Sequence, residues 1–200
     1  MSEEPESRAD QTRQRILAAA LDLFQDHGYH GTSMRRIAGR AGVALGSIYN
    51  HFPAKDDIFL EVLQANHPYH EVFQSLRAAG DEPFEAYIRR AANSMLAALE
   101  RRPYFINLML IEIVEFKSTH MPMLFQQAFP ELITLVQKFA DRQPELKPIP
   151  LPVIFRAFIG LFFSYYVSGA ILVAELPFDF SENALDHFVD IFLHGVMSES

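Results

Sequence analysis

From residue 10 onward, apolar side chains return every three or four positions, and runs of strict alternation are missing. That period lines one face of an α-helix and predicts an all-α chain. Ile16, Leu17, Ala20, Leu21, Leu23 and Phe24 form the first stripe, with Arg13, Arg15, Asp22 and Gln25 outside it. The pattern predicts a helix over about Asp10–His27, ended by Gly28. Ser33 or Thr32 is placed to cap a short second helix that Gly42 stops. A third short helix covers about Ala44–His51, with Ile48, Tyr49 and Phe52 as its large apolar groups. Pro53-Ala54 makes a turn, and a longer helix opens near Lys55.

Beyond that point proline sets the boundaries. Helices are expected over about Pro83–Arg101 and Pro103–Lys117, then around Pro122 and Pro130 to Arg142. Four prolines make Gln143–Pro152 a loop, and two last helices follow over about Pro152–Glu175 and Glu182–Met197, the second with Ser181 as its N-cap. Val153–Ala174 is a 22-residue apolar run whose only charge is Arg156. It is long enough to span a bilayer. Ser164, Tyr165, Tyr166 and Ser168 make it less lipid-like, and no Lys/Arg cluster follows to orient it. It is read as a helix buried on most sides, in a core and a subunit contact.

Composition narrows the function classes. Half of the 200 residues are hydrophobic and none is Cys, which removes disulfides, thiolate metal sites and a Cys nucleophile. Residues 1–7 are polar and acidic, lack a signal-peptide layout, and are expected to be a disordered lead; the expected location is cytoplasmic. The net charge of −8 is unevenly spread. From Arg8 to Lys55 there are seven basic residues against three acids, whereas from Asp56 onward there are ten against nineteen. A basic head on an acidic body can attract phosphate locally.

The segment Ser33–Phe52 meets the mechanical needs of a helix-turn-helix, whose second helix lies in the major groove. Ile37 and Ala38 give a slim inner face, Ala41 and Gly42 permit close approach and a sharp turn, Val43 plugs the turn, and Ile48 faces the core. Helices this short need bracing by the first and fourth. Residues from about Thr12 to Leu63 resemble the DNA-binding domain of TetR-family regulators. The resemblance is carried by Ile16-Leu17-Ala18-Ala19-Ala20, Leu23-Phe24, Gly28-Tyr29, Gly31-Thr32-Ser33, Ile37-Ala38, Ala41-Gly42-Val43, Gly46 through Phe52, and Lys55-Asp56-Asp57-Ile58-Phe59. Pro53-Ala54 departs from the polar pair commoner there. The resemblance implies a helix-turn-helix domain over 8–54 and a helical ligand-binding and dimerisation domain over 55–200. It implies no enzyme activity, catalytic residue, metal or cofactor.

The same resemblance implies roles. Thr32 and Ser33 would donate to phosphate, Tyr49 and His51 would meet the sugar-phosphate backbone, and Lys55 would meet a phosphate as a point charge. Ala44, Leu45, Gly46 and Asn50 are candidates for base edges: Asn50 can pair with adenine, and Ala44 and Leu45 can touch thymine methyls. Arg35 and Arg36 would support the backbone. Each has a plainer reading: Tyr49 as core, His51 as a helix cap, Asn50 bonded to its own backbone, Arg35 and Arg36 as solvated charges.

For the body, the resemblance implies a homodimer through the last two helices. Ala157, Gly160, Ser164, Leu185, Phe188 and Phe192 are the candidates, and Ser168 and Gly169 are also small enough for close packing. Two copies would bind a palindromic operator in double-stranded DNA, with reading heads roughly 34–36 Å apart. A small apolar or amphipathic ligand would sit among the middle helices, at Phe105, Met109, Glu112, Phe116, Phe125, Tyr165 and Tyr166. Glu112 lies in an apolar run, and it either meets a cationic ligand, pairs with Arg89 or Arg90, or faces solvent. The expected function is a repressor released by that ligand, with an activator of the same fold as the alternative. Two other classes stand further off: a membrane-associated helical protein, and a metal site at His67, His70 and Glu71, which Pro68 interrupts.

Overall fold

The computed structural model describes residues 7–78, 82–126, 128, 130, 131, 133, 146–172 and 183–198, the side chains of 170–172 excepted. Its named helices are α1 (Arg8–His27), α2 (Met34–Ala41), α3 (Leu45–His51), α4 (Lys55–Asn66), α5 (Tyr69–Ala78), α6 (Phe84–Glu100), α7 (Phe105–Val114), α8 (Leu151–Leu172) and α9 (Ala184–Val196). Among the described residues the one β feature is a bridge between Leu146 and Met197. The chain forms two compact units: Met1–His67 with Arg102–Leu124, and Pro68–Arg101 with Phe125–Ser200.

In the first unit, α1 packs on α2, α4 and α7, and α2 packs on α3. α1 starts two residues earlier than the apolar stripe predicts. Ser7, expected in a disordered lead, is its N-cap: the Ser7 hydroxyl accepts from the Asp10 amide, and the Asp10 carboxylate accepts from the Ser7 amide. The core joins Ile16, Ala20 and Phe24 of α1 to Ile37, Ile48, Phe52, Ile58, Phe59 and Leu63. Burying each large side chain stabilises by roughly 1.5–3 kcal/mol. α7 is shorter than expected. Lys117 and Ser118 adopt left-handed backbone just after it, and the Ser118 amide bonds back to the Glu112 carbonyl, which closes the helix.

In the second unit, α6 is central, packing on α5, α8 and α9, and α8 also packs on α9. Ile154, Phe158 and Phe162 follow one another at four-residue spacing and are the buried ones among the described side chains of α8. Phe158 and Phe162 meet Phe192 of α9 with ring centroids 5.5 and 6.2 Å apart. One correction follows. Phe192, expected between subunits, belongs to the core of its own unit. Within this single chain the described side chains of α8 are buried along one stripe, and the subunit contact expected to cover its other sides would need a second copy. Ala157, Gly160 and Ser164 are exposed beside Val153, Ile159 and Phe163. Leu151–Gly169 is long and apolar enough to cross a membrane, yet only 17% of the most apolar stretch is buried within the chain. Leu185 and Phe188 are half-buried. The expected cap Ser181 lies outside the described residues, and Asn183 stands at the N-cap position without a side-chain capping bond.

Candidate nucleic-acid interface

α2 and α3 have eight and seven residues, too few to hold their shape alone. Their inward faces explain how they persist. Ile37 and Ile48 are fully buried, Ala38 and Ala41 nearly so, and Phe52 closes the end of α3. The turn between them needs Gly42, whose left-handed backbone (φ 64°, ψ 38°) sends its amide back to the Gly39 carbonyl. Val43 is half-buried in that turn, and its amide bonds the Ala38 carbonyl. With Ile48 turned inward, the opposite edge of α3 is left to solvent: Ala44, Leu45, Gly46, Tyr49 and Asn50 are all exposed. Positions 45, 46, 49 and 50 share one face because a helix turns every 3.6 residues. A helix edge carrying an amide, a phenol and small apolar groups suits the floor of a major groove.

The supporting residues depart from expectation. Ser33 is exposed, and its hydroxyl oxygen accepts from the Arg36 amide as the cap of α2. Thr32 is only 2% exposed, and its hydroxyl donates to the carbonyls of Leu23 and Gly28. The expectation that this hydroxyl donates to phosphate is therefore corrected: the group is internal. Lys55 also turns inward. Its Nζ donates to the Tyr29 and Thr32 carbonyls, each at 2.7 Å, and lies 3.8 Å from the centre of the Tyr29 ring. Burial pulls its pKa below the ordinary 10.5, opposed by the Glu115 carboxylate. His51 is half-buried, and its carbonyl accepts from Arg13.

Most of the basic charge that marks the head in sequence is tied down. Arg13 pairs with Glu61, and Arg40 pairs with Asp22 at 3.0 Å. Arg15 donates to the Ala41 and Gly42 carbonyls, and Arg36 donates to that of Gly31. Of the seven, only Arg8 and Arg35 have no side-chain partner among the described residues, and both are exposed. Arg13, Arg15 and Glu61 carry no local signal of these roles, because their partners lie 26 to 48 residues away along the chain.

The turn after α7 joins this unit through residues also missed in sequence. Glu115 accepts from the backbone amides of Tyr29 and His30 at 3.4 and 3.2 Å. Phe116 lies against the Phe59 ring, centroids 4.7 Å apart, and meets Tyr29 edge-on at 4.4 Å. The Tyr29 hydroxyl bonds the Asp56 carboxylate. Glu112 is fully buried, and its two oxygens accept from the His120 amide and meet His120 Nδ1, each at 2.7 Å. The partner expected from sequence was a cationic ligand, Arg89 or Arg90. Those arginines bond Glu85, Asp186 and Asp190, and Glu82, instead.

The other candidate ligand residues are divided between the two units. Phe105 is buried with its ring against His67, and Met109 is half-buried; both share the first unit with Glu112 and Phe116. Phe125, Tyr165 and Tyr166 belong to the second unit. There Phe125 is exposed, Tyr165 meets Phe188 edge-on, and the Tyr166 hydroxyl donates to the Leu99 carbonyl. No group of three or more His, Asp or Glu that could hold a metal occurs among the described residues.

Comparison with known proteins agrees with this geometry. The family described as "Bacterial regulatory proteins, tetR family" matches residues 16–62. The HTH-type transcriptional regulator AcrR of Shigella flexneri is 45% identical over 62 residues, 31% of this chain and 29% of that protein. The HTH-type transcriptional activator FasR of Mycolicibacterium smegmatis is 46% identical over 55 residues, 28% of this chain and 25% of that protein. The chain thus spans between a quarter and a third of the length of these two relatives. A crystal structure of a TetR family transcription regulator from Marinobacter aquaeolei shares the fold over 96% of this chain and 98% of that one, with a TM-score of 0.72 at 16% identity. Residues 16–62 thus match the tetR family of bacterial regulatory proteins, and the helical fold that continues from this head is shared over nearly the whole chain.

Proposed function

We infer that the protein is a DNA-binding transcriptional regulator that works in the cytoplasm as a homodimer and releases a palindromic operator when a small apolar or amphipathic ligand binds. One observation carries this reading: α3 is locked inward by Ile48 and Phe52 while Ala44, Leu45, Gly46, Tyr49 and Asn50 stay free on one edge. Asn50 is assigned to adenine, Leu45 and Ala44 to thymine methyls, and Tyr49, Ser33 and Arg35 to the sugar-phosphate backbone. The exposed apolar side of α8, and the exposed Ile191 on α9, support pairing of two copies. A two-fold pair would hold two reading edges about one DNA turn apart, roughly 34–36 Å.

Ligand control is read as a shift between two arrangements of the pair that differ in operator affinity, a coupling of typically ~1–3 kcal/mol. The segment Arg102–Leu124 suits the part of transmitter. It packs with the head, while the chain on either side of it belongs to the second unit. Repression is favoured over activation as the sign of control.

Binding-site selection on random duplex DNA tests the reading. The expected result is one palindromic site bound by a dimer. Failure to enrich any sequence at moderate salt removes the proposal. Recovery of the chain in the membrane fraction would instead favour α8 as a membrane anchor.

A further inference from the structure

We propose that Arg13 and Arg15 of α1 are positioning residues that set the inclination of α3 without touching DNA. The inference rests on the DNA-reading function proposed above. Arg15 donates to the carbonyls of Ala41 and Gly42, where α2 ends. Arg13 Nη1 donates to the carbonyl of His51, the last residue of α3, at 3.1 Å. The final carbonyls of a helix lack intrahelical donors and carry the negative end of its dipole, so a guanidinium satisfies both needs. Two cations spaced two residues apart on one rigid helix thus hold the ends of both short helices.

The other constraints on α3 are few. Its N-cap position is Ala44, with no side-chain capping bond. Its apolar anchors, Ile48 and Phe52, fix depth and leave tilt to the polar contacts at its ends. Arg13 is itself oriented from two sides: Nε donates to Glu61 on α4 at 2.8 Å, and the guanidinium carbon lies 4.3 Å from the centre of the Phe52 ring. Lysine cannot reproduce this arrangement, because an ammonium has no planar fork to meet a carboxylate and a carbonyl while covering a ring. The chain Glu61–Arg13–His51 also gives α4 a path to the reading edge.

The test uses the full-length protein, its selected operator and an unrelated duplex, with Arg13→Lys and Arg13→Gln. Both variants are expected to lower the ratio of operator to non-specific affinity by about tenfold, the size of one mismatched base pair. Non-specific affinity and its salt slope should stay as in the wild type. A direct phosphate contact predicts the opposite: Arg13→Lys behaves as wild type, and Arg13→Gln weakens all DNA and flattens the slope by ~1. That result, or an unchanged ratio in both variants, overturns the proposal. Should these variants fail to fold, Glu61→Ala keeps every cation and removes the carboxylate, one of the two groups that orient Arg13. It is expected to lower the ratio several-fold, and an unchanged ratio refutes the inference. A wild-type protein that selects no site removes the DNA-reading function itself, and that result is visible before any substitution is made.

Discussion

Thr32→Val separates an internal role for Thr32 from the phosphate contact expected in sequence. The substitution keeps side-chain volume and deletes one hydroxyl that is 2% exposed and faces the carbonyls of Leu23 and Gly28. A buried hydrogen bond contributes about 0.5–1.5 kcal/mol net, and stranding its acceptor raises the loss to about 1–3 kcal/mol. The Leu23 carbonyl lies within α1, whereas that of Gly28 lies beyond its end, so roughly 1–2 kcal/mol is expected. At this chain length that lowers Tm by roughly 2–8 °C. Thermal denaturation by circular dichroism reads the shift. Non-specific DNA affinity of the folded protein should remain within about twofold, because no phosphate contact is lost. An unmoved Tm together with uniformly weaker DNA binding would show that the hydroxyl faces the duplex.

Three further outcomes are expected. Phe116→Ala should cost roughly 2–4 kcal/mol, since it strips the face packed on Phe59 and Tyr29; a loss below about 1 kcal/mol in urea unfolding would show that the turn after α7 is loosely held. Ile159→Glu puts a charge on the exposed apolar side of α8 and should shift the protein from dimer to monomer in light scattering; an unchanged dimer would mean another face pairs the subunits. Burial raises the pKa of Tyr69 and Tyr166 above the ordinary 10.0, with Glu100 adding to the effect at Tyr166. Because the fold holds these protons more tightly than the unfolded chain, the stability they contribute is complete below pH 10.0 and is lost as pH rises through their raised values. Absorbance titration should show phenols that ionise late, and Tyr69→Phe should remove one of them; the absence of any late phenol would refute the assignment.

The head was legible because its rules are local. Gly28 and Gly42 mark helix ends, Ile37 and Ile48 mark inner faces, and exposure of the Leu45–Asn50 edge follows once Ile48 points inward. The roles of the polar groups were not legible. Thr32 and Ser33 are adjacent in sequence, yet one hydroxyl is sealed inside and the other is exposed at a helix end. Lys55 and Arg13 read as free charge until the fold brings carbonyls and a carboxylate to them. The Glu112–His120 pair needs the left-handed turn at Lys117 and Ser118, which no turn glycine announces. Apolar patterning also could not tell a helix enclosed by its own chain from one that leaves a side uncovered, so which side of α8 faces its own core is visible only in the fold.

The return of Arg102–Leu124 to the head matters for anyone building hybrid regulators. A graft cut after residue 67 would transplant the reading helices but strip Phe59 of its Phe116 neighbour and the Tyr29 and His30 amides of their carboxylate. The recipient would have to supply a substitute for that missing layer. Chimeras made at a single junction should therefore express as poorly folded chains, whereas those that also carry over the second segment keep the donor's head whole.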